Sequence, residues 1–531
     1  MVSRVRVAAS IVVVALVVLG LALRISVYAA NAPLTLDEAM LALNVARRGA
    51  VGLLQPLSFE QTAPIGFLWL ARAAVRLGGV SELALRATPF VAGLVFAPVV
   101  ALAAGWLISA RAAAVAAVLA VLCPLDIQYA ATFKQYALDA TVTAGVVVAA
   151  LAVVRYPTHR WAWVGWVVCC LVSPLVSASS VFVTVAAFAA LVLSPVWRTH
   201  RARIIGVAGA WLVVAVVNYL QFQRATVTNG YMQRYWAGTF LQPPLHDALA
   251  LVRARSGFLM EEILLGDAHA YPAVWRLALL GLMIFGWWWA GRRVGVWAAV
   301  LLAGPFVAVG GAAVMRAYPL SDRTLLFLAP LCILSVVAGA SAIDWHGVVF
   351  AALILPPVAD AIARRPHDVE DLRATTAIVW RQVQEGEPVY VFSRSLPVWT
   401  FYTTDWSHPD LRRTDSLMAL GAALGPNSGN APARSAPVSH EGDALRYRGE
   451  LVGIATGMED VLAGPRKRVP DPGWATNEAA RIQAVASPRA WVYVTYCHDH
   501  CEQRLRDTLV AGGGQVRAQS GRVFEFVKRT P

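Results

Sequence analysis

The sequence predicts a polytopic α-helical membrane protein with an α/β domain at its C-terminal end. Three observations predict it. The 531 residues are 58% hydrophobic and only 15% charged, a balance few soluble domains reach. About eleven apolar runs of roughly 14–22 residues, near the length that spans a bilayer, cover the chain up to about residue 360. From about residue 361 charges return, and strand-like and helix-like runs alternate.

The first run follows Arg4 and Arg6 and extends to about Ala30. No small-residue cleavage pattern precedes Leu34, so it reads as an uncleaved first helix. The later runs centre near residues 97, 118, 145, 169, 186, 213, 281, 304, 334 and 354, with Ser173-Pro174 dividing the fifth from the sixth. With the N-terminus cytoplasmic, alternate loops hold Arg111, then Arg155 and Arg160, then Arg198, Arg201 and Arg203, then Arg292 and Arg293. That is the excess the positive-inside rule asks for; only the last such loop, Asp344-Trp345-His346, lacks an Arg. These loops account for the net charge of +13. A nucleic-acid-binding role is excluded, since no soluble basic domain with interleaved aromatics is present. The 19 Trp suit belts at the two membrane interfaces.

The same parity sends residues 31–86, 125–136, 223–272 and 315–324, and everything after about 361, to the outer side. Within 31–86 two helix-like stretches, Asp37–Arg48 and Pro64–Leu77, are too polar to span and belong in the interface plane. The chain therefore divides into a transmembrane domain, 1–360, and an extracytoplasmic α/β domain, 361–531. In the latter, Pro388–Phe392, Ala490–Thr495 and Arg522–Val527 read as strands, and Asp368–Gln384 and Glu502–Ala511 as helices. Residues 421–443 and 464–474 are Gly-, Pro-, Ala- and Ser-rich loops. No internal repeat is evident, which weighs against repeat-built transporters.

Six cysteines are too few for a disulfide framework. Cys123, Cys169, Cys170 and Cys332 lie in apolar runs as small core residues. Cys497-His-Asp-His-Cys501 is open to three readings: a disulfide, free thiols or a metal site.

Candidate chemistry lies in the outer segments. Asp37 and Glu38 are adjacent carboxylates just past the first run. Thr35 and Glu38 have capping-box spacing, so Glu38 is either structural or catalytic. Asp37 either complements the helix dipole or serves as a base or metal ligand at the membrane face. The stretch 123–139 carries Asp126, Lys134, Gln135, Tyr136 and Asp139, unusually polar for a short link. Lys134 either snorkels or binds a phosphate, and Asp139 reads as its helical neighbour. Arg323, with Arg316 upstream, stands where the positive-inside rule disfavours Arg. A guanidinium opening a helix is a phosphate clamp, unless it merely pairs with Asp322 or a lipid headgroup.

Four pieces together resemble the GT-C glycosyltransferases, specifically the bacterial relatives of dolichyl-phosphate-mannose–protein mannosyltransferases and of the aminoarabinose lipid A transferase. They are Asp37-Glu38 after the first span; Gln61-Thr-Ala-Pro-Ile-Gly-Phe-Leu-Trp-Leu with Ser81-Glu82 and Arg86; Gln128-Tyr129 with Lys134-Gln-Tyr-Ala-Leu-Asp139; and Tyr318-Pro319 with Arg323 to Pro330. They cover roughly residues 1–335, and depart where Gln61-Thr-Ala stands in place of a Lys or His before paired prolines. The resemblance implies a GT-C fold and an inverting glycosyltransferase. It would move a sugar from a polyprenyl-phosphate donor to an envelope glycan, lipid or protein acceptor. Asp37 would be the base, with Glu38 beside it. Lys134, Arg323 and Tyr136 would hold the donor phosphate, and Asp126 is a candidate second acidic site. No metal ligand is assigned; family members differ in metal dependence, so a divalent cation stays open. The location implied is a bacterial inner membrane. The rival readings are a transporter or lipid flippase, and a non-catalytic envelope assembly protein.

Overall fold

The computed structural model describes residues 2–266, 271–343, 346–363, 371–384, 387–424, 446–447, 450–453, 473–484, 487–495, 500–520 and 523–528. Cys497 to Asp499 and most of the two Gly/Pro-rich loops lie outside these residues.

Each of the eleven apolar runs is helical. Helix α1 (Val2–Ala29) is followed by two short helices, α2 (Leu36–Arg47) and α3 (Ile65–Gly78). The bundle continues through α4 (Glu82–Leu107), α5 (Ala110–Val121), α6 (Pro124–Ala130), α7 (Tyr136–Arg155), α8 (Arg160–Val176), α9 (Ser180–Leu193) and α10 (Val196–Asn218). Among the described residues seven helical segments are long and apolar enough to cross a membrane. Helices α5 and α6 together have a span's length and apolarity but are bent by 54° between Val121 and Pro124, as in a broken span or a re-entrant loop. The remaining runs are the shorter α8, α9 and Gly347–Ala363. Ser173-Pro174 does not divide α8 from α9. Pro174 sits inside the last turn of α8, the helix runs on to Val176, and the break comes at Ser177–Ser179.

The segment after α10 shows no clear period in the sequence, yet it is helical. A π-turn joins α10 to α11 (Arg224–Val227), so the unit Val196–Val227 runs 32 residues. At ~1.5 Å per residue it outreaches a bilayer by several turns. Helices α12 (Gly230–Tyr235) and α13 (Leu245–Met260) then lead into α14 (Ala273–Arg293) and α15 (Val296–Val314). A 3₁₀ turn, Arg323–Leu328, opens α16 (Ala329–Ser341), and α17 (His346–Ala363) closes the bundle. Helices α14 and α16 touch backbone to backbone. A Cβ on Gly286 would fall 1.9 Å from the Ser335 carbonyl, and one on Gly339 2.1 Å from that of Leu282. Small residues make such membrane packing possible.

The C-terminal portion is a three-layer α/β unit. Its strands are β1 (Val389–Phe392), β2 (Arg446–Tyr447), β3 (Glu450–Gly453), β4 (Arg489–Tyr493), β5 (Gln515–Ser520) and β6 (Val523–Val527), in the order β2-β3-β1-β4-β6-β5. β1 runs parallel to β3 and β4, and the outer pairs are antiparallel. Side chains alternate between two cores, as strand geometry demands. Tyr390, Phe392, Val492 and Phe524 pack with α21 (Trp474–Ala484) and α22 (Cys501–Ala511). Val389, Val391, Trp491 and Tyr493 pack with α18 (Leu372–Gln382), α19 (Leu396–Thr403) and α20 (Leu411–Leu424). The second helical layer also touches the membrane-side helices. Leu372, Val398, Phe401 and Met418 share one core with Leu41, Val45 and Phe67 of α2 and α3.

Candidate active site

Thr35 and Glu38 close the capping box that starts α2. The Thr35 amide donates to Glu38 Oε2 at 3.0 Å, and the Glu38 amide to Thr35 Oγ1 at 3.4 Å. The rest of the Glu38 carboxylate is also occupied. Arg86 of α4 donates to Oε1 at 2.9 Å and to Oε2 at 3.0 Å, and the Phe133 amide donates to Oε1 at 2.6 Å. Glu38 is 1% exposed and lines no described cavity. Arg86 also binds the carbonyls of Ala32 and Pro33, at 2.5 and 3.2 Å. Glu38 and Arg86 thus weld α2, α4 and the loop before α7 together, which is a structural use of Glu38.

That weld turns Asp37 the other way, into a cavity of about 270 Å³. Around it stand Lys134 and Tyr136 at the start of α7, Arg316 and Tyr318 after α15, and Arg323. Arg323 Nη1 donates to Asp37 Oδ2 at 3.0 Å, and the guanidinium lies 5.6 Å from the Trp236 ring centroid. Asp322 is not its partner; that carboxylate pairs with Arg255. Lys134 is buried, and its Nζ donates to Gln61 Oε1 at 2.9 Å. Gln61 thus holds the cavity lysine in place. Tyr136 packs edge-on against Tyr129, with ring centroids 5.1 Å apart.

The cavity sets the charges. Burial by itself would raise the Asp37 pKa. The Lys134 and Arg323 charges outweigh it, and the carboxyl is held below its usual range. Burial lowers the Lys134 pKa, with Arg323 adding to the effect and Asp37 opposing it. Asp37 is therefore ionised at neutral pH, and Lys134 is easier to deprotonate than a free lysine.

Asp37, Lys134, Tyr136 and Arg323 come together from three separate outer segments. Asp126 does not join them. It is 0% exposed and bonded at 2.6 Å to Arg24 of α1, which also donates to the Ala120 and Val121 carbonyls. Buried and paired with Arg24, Asp126 lines no described cavity, so the structure gives no support to its reading as a second acidic site. Asp139 is no simple helical neighbour of Lys134 either. Lys134 precedes α7, while Asp139 lies in its first turn against the cavity. Sequence reasoning passed over Gln61, Tyr318, Trp236 and Asp139 as site residues. Gln61, Asp139 and Tyr318 fell inside segments that stood out in the sequence, whereas Trp236 carried no signal. Among the described residues no three His, Cys, Asp or Glu side chains are placed to hold a metal ion. Two cations beside Asp37 make that carboxylate a poor ligand for another one.

With this geometry in hand, known proteins can be compared. Residues 62–220 match the model of the dolichyl-phosphate-mannose-protein mannosyltransferase family. ArnT from Cupriavidus metallidurans, solved bound to undecaprenyl phosphate, superposes with a TM-score of 0.53 at 14% identity, over 97% of each chain. The chain is a membrane protein with the GT-C fold. The apo form of the same ArnT matches with a TM-score of 0.47 at 16% identity, over 98% of each chain. The apo oligosaccharyltransferase of Archaeoglobus fulgidus gives 0.48 at 13% identity, over 73% of this chain and 63% of its own. No curated protein matches in sequence.

Proposed function

We propose that this protein is an inverting glycosyltransferase. It moves a sugar from a polyprenyl-phosphate donor to an envelope glycan, lipid or protein acceptor at the outer face of a bacterial plasma membrane. The N-terminus is then cytoplasmic, and residues 361–531 form an extracytoplasmic domain. The observation that carries the reading is Asp37, an ionised carboxylate inside a membrane-edge cavity beside Lys134 and Arg323. The family match and the fold shared with ArnT support the donor class.

The acceptor's hydroxyl or amine attacks the anomeric carbon as Asp37 takes its proton. The bond from that carbon to the phosphate oxygen breaks on the opposite face, so the configuration inverts. The electron pair leaves with the phosphate, which Lys134 and Arg323 stabilise as its charge grows. Donor phosphate competes with Asp37 for Arg323, and loosening that ion pair frees the carboxylate to act as base. A transporter would need charges facing a midplane cavity. The buried Arg24–Asp126 pair faces none, which weighs against that reading.

The test is transfer of labelled sugar from polyprenyl phosphate by the purified protein, with envelope acceptors separated by mass spectrometry. Arg323→Ala is expected to raise the donor KM by about tenfold to a hundredfold, the worth of a charge-assisted phosphate contact. An unchanged donor KM would leave Arg323 a structural role only. Lys134 adds a pH signature. As pH rises through its lowered pKa the ammonium charge is lost, so the donor KM should climb at a pH where a free lysine, at about 10.4, is still charged. Lys134→Arg should abolish that alkaline rise, because guanidinium stays protonated.

A further inference from the structure

We propose that the C-terminal α/β portion positions the base, and that Tyr402 is the residue through which it does so. The inference rests on the glycosyltransferase reading above and adds a role for the tail.

Asp37 is the second residue of α2, so its place depends on how the chain enters that helix. The entry, residues 31–35, has no secondary structure of its own. It is pinned from two sides. Arg86 of the bundle holds the Ala32 and Pro33 carbonyls. The C-terminal portion supplies the other pins. The Leu34 amide donates to the Tyr402 hydroxyl at 2.7 Å, and that hydroxyl donates to Glu82 Oε1 at 3.1 Å. Arg373 of α18 donates to the Asn31 carbonyl at 2.5 Å and pairs with Glu82 at 2.9 Å. Glu82, the first residue of α4, is 8% exposed and so ties both tail side chains to the bundle. Below these bonds the Val398, Phe401 and Met418 side chains pack on the α2–α3 core. At the far end of α2, Arg47 and Asp415 form a two-bonded pair at 2.6 and 2.7 Å.

The Asn31, Ala32 and Pro33 carbonyls and the Leu34 amide are therefore held by side chains from both parts of the chain. A buried amide or carbonyl without such a partner is costly. Removing the Tyr402 hydroxyl leaves the Leu34 N–H unpaired and the loop free to shift. A displacement of about 1 Å at a reacting group costs on the order of a hundredfold in rate. None of the tail residues in these bonds lines the cavity, so the effect reaches Asp37 only through the loop.

The test uses the full-length protein in nanodiscs. Tyr402→Phe keeps the ring in its core and removes only the hydroxyl. Amide exchange over residues 31–40 is expected to rise about tenfold, the equivalent of one lost hydrogen bond. The kcat should fall about tenfold or more, while donor and acceptor KM stay within about twofold. Asp415→Ala, which breaks only the half-exposed pair at the other end of α2, should leave exchange over 31–40 and kcat as they are. Unchanged exchange and unchanged kcat in Tyr402→Phe overturn the proposal. A rise confined to the acceptor KM, with exchange unchanged, also overturns it and makes the tail an acceptor-recognition module. If the wild-type protein transfers no sugar, the functional reading fails separately, and the exchange measurement alone decides whether the tail pins the loop.

Discussion

Asp37→Asn is expected to lower kcat by about a thousandfold while leaving the protein folded, because a positioned general base contributes on the order of 10²–10⁴ in rate. The amide keeps the size of the carboxyl and an oxygen for Arg323 but cannot take a proton. The ion pair it replaces is partly open, with side chains 44% and 27% exposed. Solvent screening holds its worth to at most about 1 kcal/mol, so the melting temperature should barely move. The pH dependence follows from the depressed Asp37 pKa. The wild-type rate should hold down to about pH 4, where a free Asp would already be half protonated, and fall only as pH drops through the lower folded value. The stability Asp37 contributes has the same sign: present above the unfolded pKa of about 3.9, and lost as pH falls through the folded one. Labelled-donor turnover from pH 3 to 9, beside thermal unfolding in detergent, checks both. Near-normal turnover in the Asn variant would remove Asp37 from the mechanism.

The second large effect lies one residue on and is of another kind. Glu38→Ala should destabilise the protein by roughly 3–5 kcal/mol, the usual result of removing one partner of a buried ion pair. It strips the capping box from α2, leaves the Arg86 guanidinium without its carboxylate, and leaves the Phe133 amide unpaired. Glu38→Gln, whose single amide oxygen can still accept from the Thr35 or the Phe133 amide but not from both, should lose less. Denaturant unfolding with parallel turnover separates stability from chemistry. Activity in the Ala variant should track the folded fraction, since Glu38 meets no cavity. An Ala variant as stable as wild type but inactive would return Glu38 to the catalytic candidates. Adjacent carboxylates thus carry opposite predictions: one removes rate and keeps the fold, the other removes the fold.

The local code around these residues was legible in the sequence. The Thr35–Glu38 spacing specifies a capping box, and the box is present with both bonds. The eleven apolar runs are all helical, because backbone groups in an apolar stretch must be satisfied within it, and seven of the described helices also reach the length that bilayer thickness asks for. The sequence places the break between α8 and α9 at Ser173-Pro174, but the helix carries that proline and runs on to Val176. Residues 223–266 were illegible for a different reason. Their helices are short, and their π-turn and outer-face packing leave no single period to read.

Asp126 and Arg323 show where local reading stops. Both stood out as charged residues at span ends. Only the packed bundle decided that Asp126 is closed off by Arg24, 102 residues away in sequence, while Arg323 reaches Asp37 across 286. Segments this distant leave no trace of their pairing in spacing. Gln61 beside Lys134 and Tyr402 beneath Leu34 were hidden in the same way. The sequence by itself determined a membrane bundle, its interfacial helices, a C-terminal sheet and a carboxylate pair at the start of α2, because each follows from periodicity, length and capping within one short stretch. Tertiary structure decided which carboxylate faces the cavity, which cations meet it there, and that the tail reaches back to hold it. Those choices depend on how buried charges find partners across the fold, and a buried charge takes whichever partner packing delivers.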